Sequence, residues 1–428
     1  MEVLKNHMKF KYVVPFLDVV DDKQILLQDL SKLLRENDGT FDKDQFIDDD
    51  IKELFPLYNF GDNDDILKVR GVSFVLENFI DEIESMKLDL SLSHNEIEFL
   101  GFNDENEIKL KFSNESIKGA EDIIAQGMSE GVYNSTNECF SSWFEIGSKH
   151  IDFCLKNSHK DKVEGIFSIY INEMLKALSD NRRQYRLLLD YQGNDSENPV
   201  YLLRGVTSGV TSKGFYKNYD NNVVLYLCLL FLHKYAVDTG EDFKFTGGYI
   251  SDSEIKASFE LEKPKRLKSG EEVYIGLLLS NNEIRKGVVS FKMYYRITDG
   301  KHSFKGIVKD SVCRISHSTG IEKLQIKLEE LLNINKHEKK MLDYINRVTM
   351  TDRLSEDMIF SLFESIKSSE LSSDTKSEAE KKREFLSSTM TIIQIFDRLS
   401  EITTDVNESI HLQRIYDDVI KSLSDKKE

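Results

Sequence analysis

Cysteine, proline and tryptophan are all scarce in this chain: four, four and one among 428 residues. So few cysteines cannot supply a disulfide scaffold, and they fit a reducing compartment. So few prolines exclude a proline-rich linker architecture. Long apolar runs are missing as well. The longest, Val223 to Leu232, is about half of what a membrane span needs, so no membrane partner is expected. Met1 is followed by Glu2, Lys5 and Lys9 without an apolar core, so no secretory leader is expected and the expected location is cytoplasmic.

The common signatures of catalysis and cofactor binding are absent too. There is no Gly-x-x-x-x-Gly-Lys-Ser/Thr loop, no Gly-x-Gly-x-x-Gly loop, no His-Glu-x-x-His and no Cys-x-x-Cys, so no cofactor is expected. Cys139, His150, Cys154 and His159 are close in sequence, but their gaps match no standard ligand pattern. The stretch from Glu36 to Phe46 looks like a degenerate calcium loop, with Gly39 and Phe41 where the sharp turn and the central apolar residue belong. That register puts Leu34 at the first ligand position and Gln45 at the bidentate one, so no metal site is assigned. Ser142 and Ser208 lack a strained elbow. Glu271, Glu272, Asp299, Lys301 and Asp310 offer pieces of a nuclease without its motif. No catalytic residue is assigned, and the expectation is a non-enzyme.

What is present is charge, unevenly spread. The chain carries 57 Lys and Arg against 75 Asp and Glu, a net of −18. Residues 1–110 hold 26 acids and 12 bases, a net of −14. Runs such as Asp48-Asp49-Asp50 make that part a poor surface for a polyanion. It reads as a solvated acidic face, a dock for a basic protein partner, or a shield that mimics nucleic acid. Between Lys256 and Gly320 the balance reverses, with 13 bases and 7 acids. Phosphate contacts depend on the local patch, so an acidic protein can still bind nucleic acid there.

Hydrophobic spacing predicts the elements. Helical periodicity is expected through residues 1–60, with Ile25, Leu26, Leu30, Leu33 and Leu34 on one face, and again from Ile66 to Glu84. Leu88 to Phe112, with Ile97, Phe99, Ile108, Leu110 and Phe112 alternating about a turn at Gly101-Phe102-Asn103-Asp104, predicts a short hairpin. Residues 115–178 read as helical with a loop at 131–137. Tyr185–Leu189 and Val200–Val206 read as strands, and Val223–Val237 as a buried helix capped by Asp220 or Asn221. Val289, Phe291, Met293, Tyr295 and Ile297 alternate with polar residues. With Ile255–Leu261, Val273–Leu279 and Phe304–Ile315 they predict an antiparallel meander. Beyond Gly320 the chain reads as helical, with 367–383 as a flexible connector. The fold class expected is α+β: a central antiparallel sheet with one buried helix, an acidic, mostly helical N-terminal part (1–112), a central domain (113–320) and a helical C-terminal region (321–428).

Two groups of residues interleave bases and aromatics. The first is Arg204, Lys213, Tyr216, Lys217 and Tyr219, in a glycine-marked stretch where backbone N–H groups could approach phosphates and rings could stack on bases. The second is Lys292, Tyr294 and Arg296, spaced by two and therefore on one face of a strand. The bland alternative puts the aromatics in the core and the bases at covered or edge positions.

Residues 200–330, about a third of the chain, resemble the phage- and plasmid-associated family called domain of unknown function nine-three-two. Three pieces carry the resemblance: Arg204 with Phe215-Tyr216-Lys217-Asn218-Tyr219-Asp220-Asn221; Gly276-Leu277-Leu278-Leu279-Ser280-Asn281-Asn282-Glu283; and Val312-Cys313 ahead of His317. Asn282 stands where that turn has serine, and the Asn-Gly after the cysteine is missing. The resemblance implies context rather than a reaction: a phage, plasmid or anti-phage defence protein working near DNA. The expected function is therefore non-catalytic DNA association through the basic–aromatic residues. The alternative is a protein–protein interaction or sensor subunit that uses the acidic N-terminal part, and an undetected nuclease or hydrolase comes third.

Overall fold

The computed structural model describes residues 12–14, 23–36, 46–73, 75–76, 87–102, 108–112, 130–134, 164–177, 182–189, 201–206, 217–250, 254–283, 288–386 and 389–426. Their fold is α+β, built on two sheets. The larger sheet contains the meander. Strands β1 (Tyr12–Val14) and β2 (Val69–Arg70) both pair with β9 (Phe243–Ile250), and β10 (Glu254–Leu261) follows. The short β11 (Lys265–Arg266) pairs with β12 (Glu272–Asn282), and β13 (Val289–Thr298) and β14 (Ser303–Ile315) complete the order β1-β9-β10-β12-β13-β14. The second sheet has the order β3-β7-β8-β6-β5-β4. Its strands are β3 (Lys87–Ser93), β4 (Ile97–Phe102), β5 (Ile108–Phe112), β6 (Glu130–Asn134), β7 (Arg182–Leu189) and β8 (Tyr201–Val206).

Alternation on β13 does what period-two patterning requires. Val289, Phe291, Met293, Tyr295 and Ile297 are all 2% exposed or less. Burying each such side chain contributes about 1.5–3 kcal/mol, and a one-residue slip would expose all five, so the register is strongly specified. Against this face lies a helix that is apolar all round. Nine helices are described: α1 (Asp48–Leu54), α2 (Glu164–Ala177), α3 (Asn221–Thr239), α4 (Ile321–Leu328), α5 (Ile334–Ile345), α6 (Glu356–Ser368), α7 (Ser373–Phe385), α8 (Ile392–Ser400) and α9 (Val406–Asp425). The buried one is α3, which starts after extended Asp220 and stops at Gly240, whose φ of 73° only glycine adopts cheaply. Residues 221–233 are all buried because the N-terminal segment, the sheet and the C-terminal helices enclose them in one cluster.

Several expectations change. The N-terminal part is less helical than its spacing predicts. Ile66 forms a bridge with Leu26, and Val69–Arg70 is a strand parallel to β9, so tertiary pairing overrides the helical period there. Leu27, Leu30, Ile47 and Ile51 are 0% exposed in the same cluster as α3. These four residues therefore belong to the same core as α3. The hairpin expected from Leu88 to Phe112 is present over 97–112 as β4–β5, and its sheet continues through β6 and β8 into β7 and then β3, so it runs across position 112. The loop expected at 131–137 is partly strand β6. The expected connector 367–383 is the end of α6 and most of α7, with the Ser372 hydroxyl accepting from Thr375 N. A Ser-, Glu- and Lys-rich composition suits an exposed helix as well as a linker.

Candidate nucleic-acid interface

Residues that alternate with the buried ones on β13 line the opposite face of the sheet, and the register brings their neighbours alongside. Arg296 pairs with Tyr274 and Lys305, Tyr294 with Gly276 and Ile307, Lys292 with Leu278 and Ser311, and Ser290 with Arg314. The middle of this face is closed. Tyr249, Leu278, Tyr294 and Ile307 form a small apolar cluster with Val406 and Ile410, one turn apart at the start of α9. Tyr294 lies over Gly276, where any added Cβ would run into its ring. Its hydroxyl is 2.9 Å from Thr246 Oγ1, and burial holds the phenol protonated, well above its ordinary range. At 2% exposed, Tyr294 is the floor of the face, and its ring is not available to stack on a base.

At one end the cations are compensated. Glu260, 0% exposed, accepts from Arg296 Nε (3.1 and 3.2 Å) and Nη2 (2.9 Å), and Lys305 Nζ lies 3.9 Å from it. The Arg296 guanidinium also sits 4.0 Å from the centre of the Tyr274 ring. Bidentate pairing and ring contact fix the guanidinium in place. Arg296 is thus engaged within the fold.

At the other end they are not. Lys292 is half-buried with no hydrogen bond, ion pair or ring contact among the described residues. Beside it stand exposed Arg314 on β14 and Arg414 on α9, one turn beyond Ile410. The Arg414 Nε is buried without an acceptor. No described carboxylate lies within 4 Å of any of the three. Burial pushes the Lys292 amine below its ordinary value, and the charges of Arg414 and Arg314 push it further, opposed by Asp310 alone. The β13–β14 ladder is irregular on both sides of Lys292. Such bulges re-aim side chains and are common beside functional sites. Deeper under α9, Lys256 is compensated by Glu254 (3.2 Å) and Asn407.

Three members of the glycine-marked group lie among the described residues. Arg204 lies on β8 of the other sheet, opposite Arg186. Tyr219 is 0% exposed, with its hydroxyl donating to the Thr319 carbonyl (2.8 Å). It is a core residue, as the bland alternative had it. Lys217 is half-buried, and its N–H donates to the His317 carbonyl (2.7 Å). Lys213 and Tyr216 lie outside the described residues, as do Ser142, Ser208, residues 139–159 and most of the calcium-like loop.

The three segments quoted for the family resemblance do meet, at the start of α3. Asn281 Nδ2 donates to the Tyr219 carbonyl (2.9 Å) and to Asn221 Oδ1 (3.0 Å), Glu283 accepts from Asn221 N (2.7 Å), and His317 Nδ1 is 3.2 Å from the Lys217 carbonyl. Sequence reasoning missed the partners that extend this network. Arg35 pairs with Asp220 (2.8 Å), and Asp48 accepts from Asn222 (2.9 Å) and from Arg35 N (2.9 Å). With a carboxylate already at the helix N-terminus, the network reads as an internal anchor. Sequence reasoning also missed Arg314, Arg414 and Glu260. Arg314 carried a signal, since it falls within the basic stretch, whereas nothing in the sequence ties Arg414 to Lys292. Among the described residues no group of His, Cys, Asp or Glu is arranged to hold a metal, and no helix is long and apolar enough to cross a membrane. No family model matches the chain, and neither a curated protein nor a solved structure matches it.

Proposed function

We propose that this chain is a non-catalytic, nucleic-acid-associated protein that contacts phosphates through Lys292, Arg314 and Arg414. One observation carries the reading: three cations from three separate elements crowd one end of a sheet face without a carboxylate partner. Such crowding costs stability through repulsion and desolvation, and an anionic ligand offsets that cost. The cations at the other end of the face have Glu260, so they have no such need. On the resemblance of residues 200–330, the context is a phage, plasmid or anti-phage defence locus.

The reading differs from the sequence expectation in one respect. The grip is electrostatic, with Tyr219 and Tyr294 serving the fold and not stacking on bases. A mobility-shift series with single- and double-stranded DNA at two salt concentrations tests it. The expected result is a shift at low salt that weakens steeply as salt rises, the signature of counterion release. No shift at low salt with either ligand rejects it and leaves the interaction-subunit alternative.

A further inference from the structure

Going beyond the nucleic-acid reading and independently of it, we infer that the groove between α6 and α9 is a self-association surface, which takes α9 of a second copy of this chain in antiparallel pairing. The two helices run in opposite directions. Glu370, just past the end of α6, lies 3.9 Å from His411 Nε2 near the start of α9, and Ser372 N donates to Glu408 (2.8 Å). Between the helices is an open groove of about 200 Å³. Its α9 wall is Ile415, Asp418, Val419, Ser422 and Lys426, at i, i+3, i+4, i+7 and i+11, so these residues form one stripe along the helix. Leu412, Tyr416 and Ile420, on the other side of α9, belong to the core. The α6 wall is Ser361 and Ser365, with Asp357 and Met358 toward the Lys426 end. Ile415, Val419 and Met358 are half-buried, so the floor is apolar and half open to water.

Charge symmetry points to the occupant. Asp418 and Lys426 stand four residues before and four residues after Ser422, and both are exposed. Lys426 keeps helical dihedrals (φ −73°, ψ −14°) and so continues the stripe. Eight residues put the two charges about 12 Å apart along the helix, too far to pair with each other. Neither makes an ion pair among the described residues, whereas the neighbouring Asp417 is held by Lys421 at 2.8 Å. A two-fold axis at Ser422 sets each Asp418 against Lys426 of the partner subunit. An isologous interface requires this self-complementarity, in which the same two positions meet twice. The serine at the axis is short, which lets two helix backbones approach. Asp357 has a different role, in the first turn of α6, where the helix dipole already stabilises a carboxylate. From Ile415 to Lys426 the stripe is about 16 Å long, so the interface is small and the dimer weak.

The test is sedimentation velocity on the full chain over about 1–200 µM, a range that brackets weak dimers. The wild type should pass from monomer toward dimer within it. Asp418→Lys and Lys426→Asp each set like charges against one another at both ends of the pairing, and each alone should weaken the dimer at least about tenfold. Mixed together, the two variants should dimerise again, because every facing pair is then opposite in sign. Both positions are exposed, so neither reversal should lower the melting temperature. A wild type that stays monomeric throughout, a dimer that neither reversal weakens, or a mixture as monomeric as its components would overturn the inference.

Discussion

Strand β13 carries two cations four residues apart on one face, and their fates differ. Arg296 meets a fully buried carboxylate and an aromatic ring and is locked into the fold. Lys292 meets two more cations and no carboxylate partner. The same spacing and the same residue class thus give a structural ion pair at one end and an unsatisfied positive cluster at the other. Basic residues on an alternating strand are not evidence of a binding surface by themselves. What distinguishes the two ends is where the acids are, and Glu260 sits two strands away from Arg296.

Breaking the compensated end should have the largest effect. Glu260→Ala strands Arg296 and Lys305, whose side chains are only 19% and 14% exposed, and should cost about 3–5 kcal/mol in denaturant unfolding. Removing the Tyr294 hydroxyl should cost less. Tyr294→Phe forfeits the bond to Thr246, for a loss of about 1 kcal/mol, and should leave nucleic-acid affinity unchanged, because the ring is floor and not platform.

Acidification probes the buried and half-buried histidines. His233, His337 and His411 are all held below the ordinary histidine value, chiefly by burial. A depressed histidine takes up its proton more readily in the unfolded chain. Stability should therefore hold above about pH 6.5 and fall as the pH drops below it. His233 should contribute, because its Nδ1 accepts the Lys68 N–H (3.1 Å) that fixes the chain just before β2. Replacing it with a non-titrating residue that keeps the acceptor, His233→Asn, should flatten a melting-temperature profile between pH 7 and 5. The smallest effect is expected at the uncompensated end. Lys292→Met should raise unfolding free energy by no more than about 1 kcal/mol, a gain of the size seen when a functional residue held against stability is removed.

The sheet was the most legible part of the molecule. Alternation at Val289–Ile297 identifies both the strand and its buried side, because a period of two leaves no other face for five large apolar residues. Alternation says which residues share a face, but not what covers it. Tyr294 is buried by Val406 and Ile410, more than a hundred residues away, and no local pattern predicts that contact. The segment 66–71 has helical spacing and becomes a bridge and a strand because β9 offers an open edge. Lys292 was legible as a site candidate and Arg314 half-legible through the local charge count. Arg414 and Glu260 were hidden, since each acquires its meaning from a neighbour on another element.

The most direct measurement is the salt dependence of single-stranded DNA affinity for the wild type, Arg314→Met and Lys305→Met. Arg314→Met should flatten the slope of log affinity against log salt by roughly one phosphate contact. Lys305→Met should leave it as in the wild type, since Glu260 already engages that end and Arg296 remains to pair with it. Equal flattening in both variants, or flattening in Lys305→Met alone, would contradict the division of the face into a structural end and a binding end.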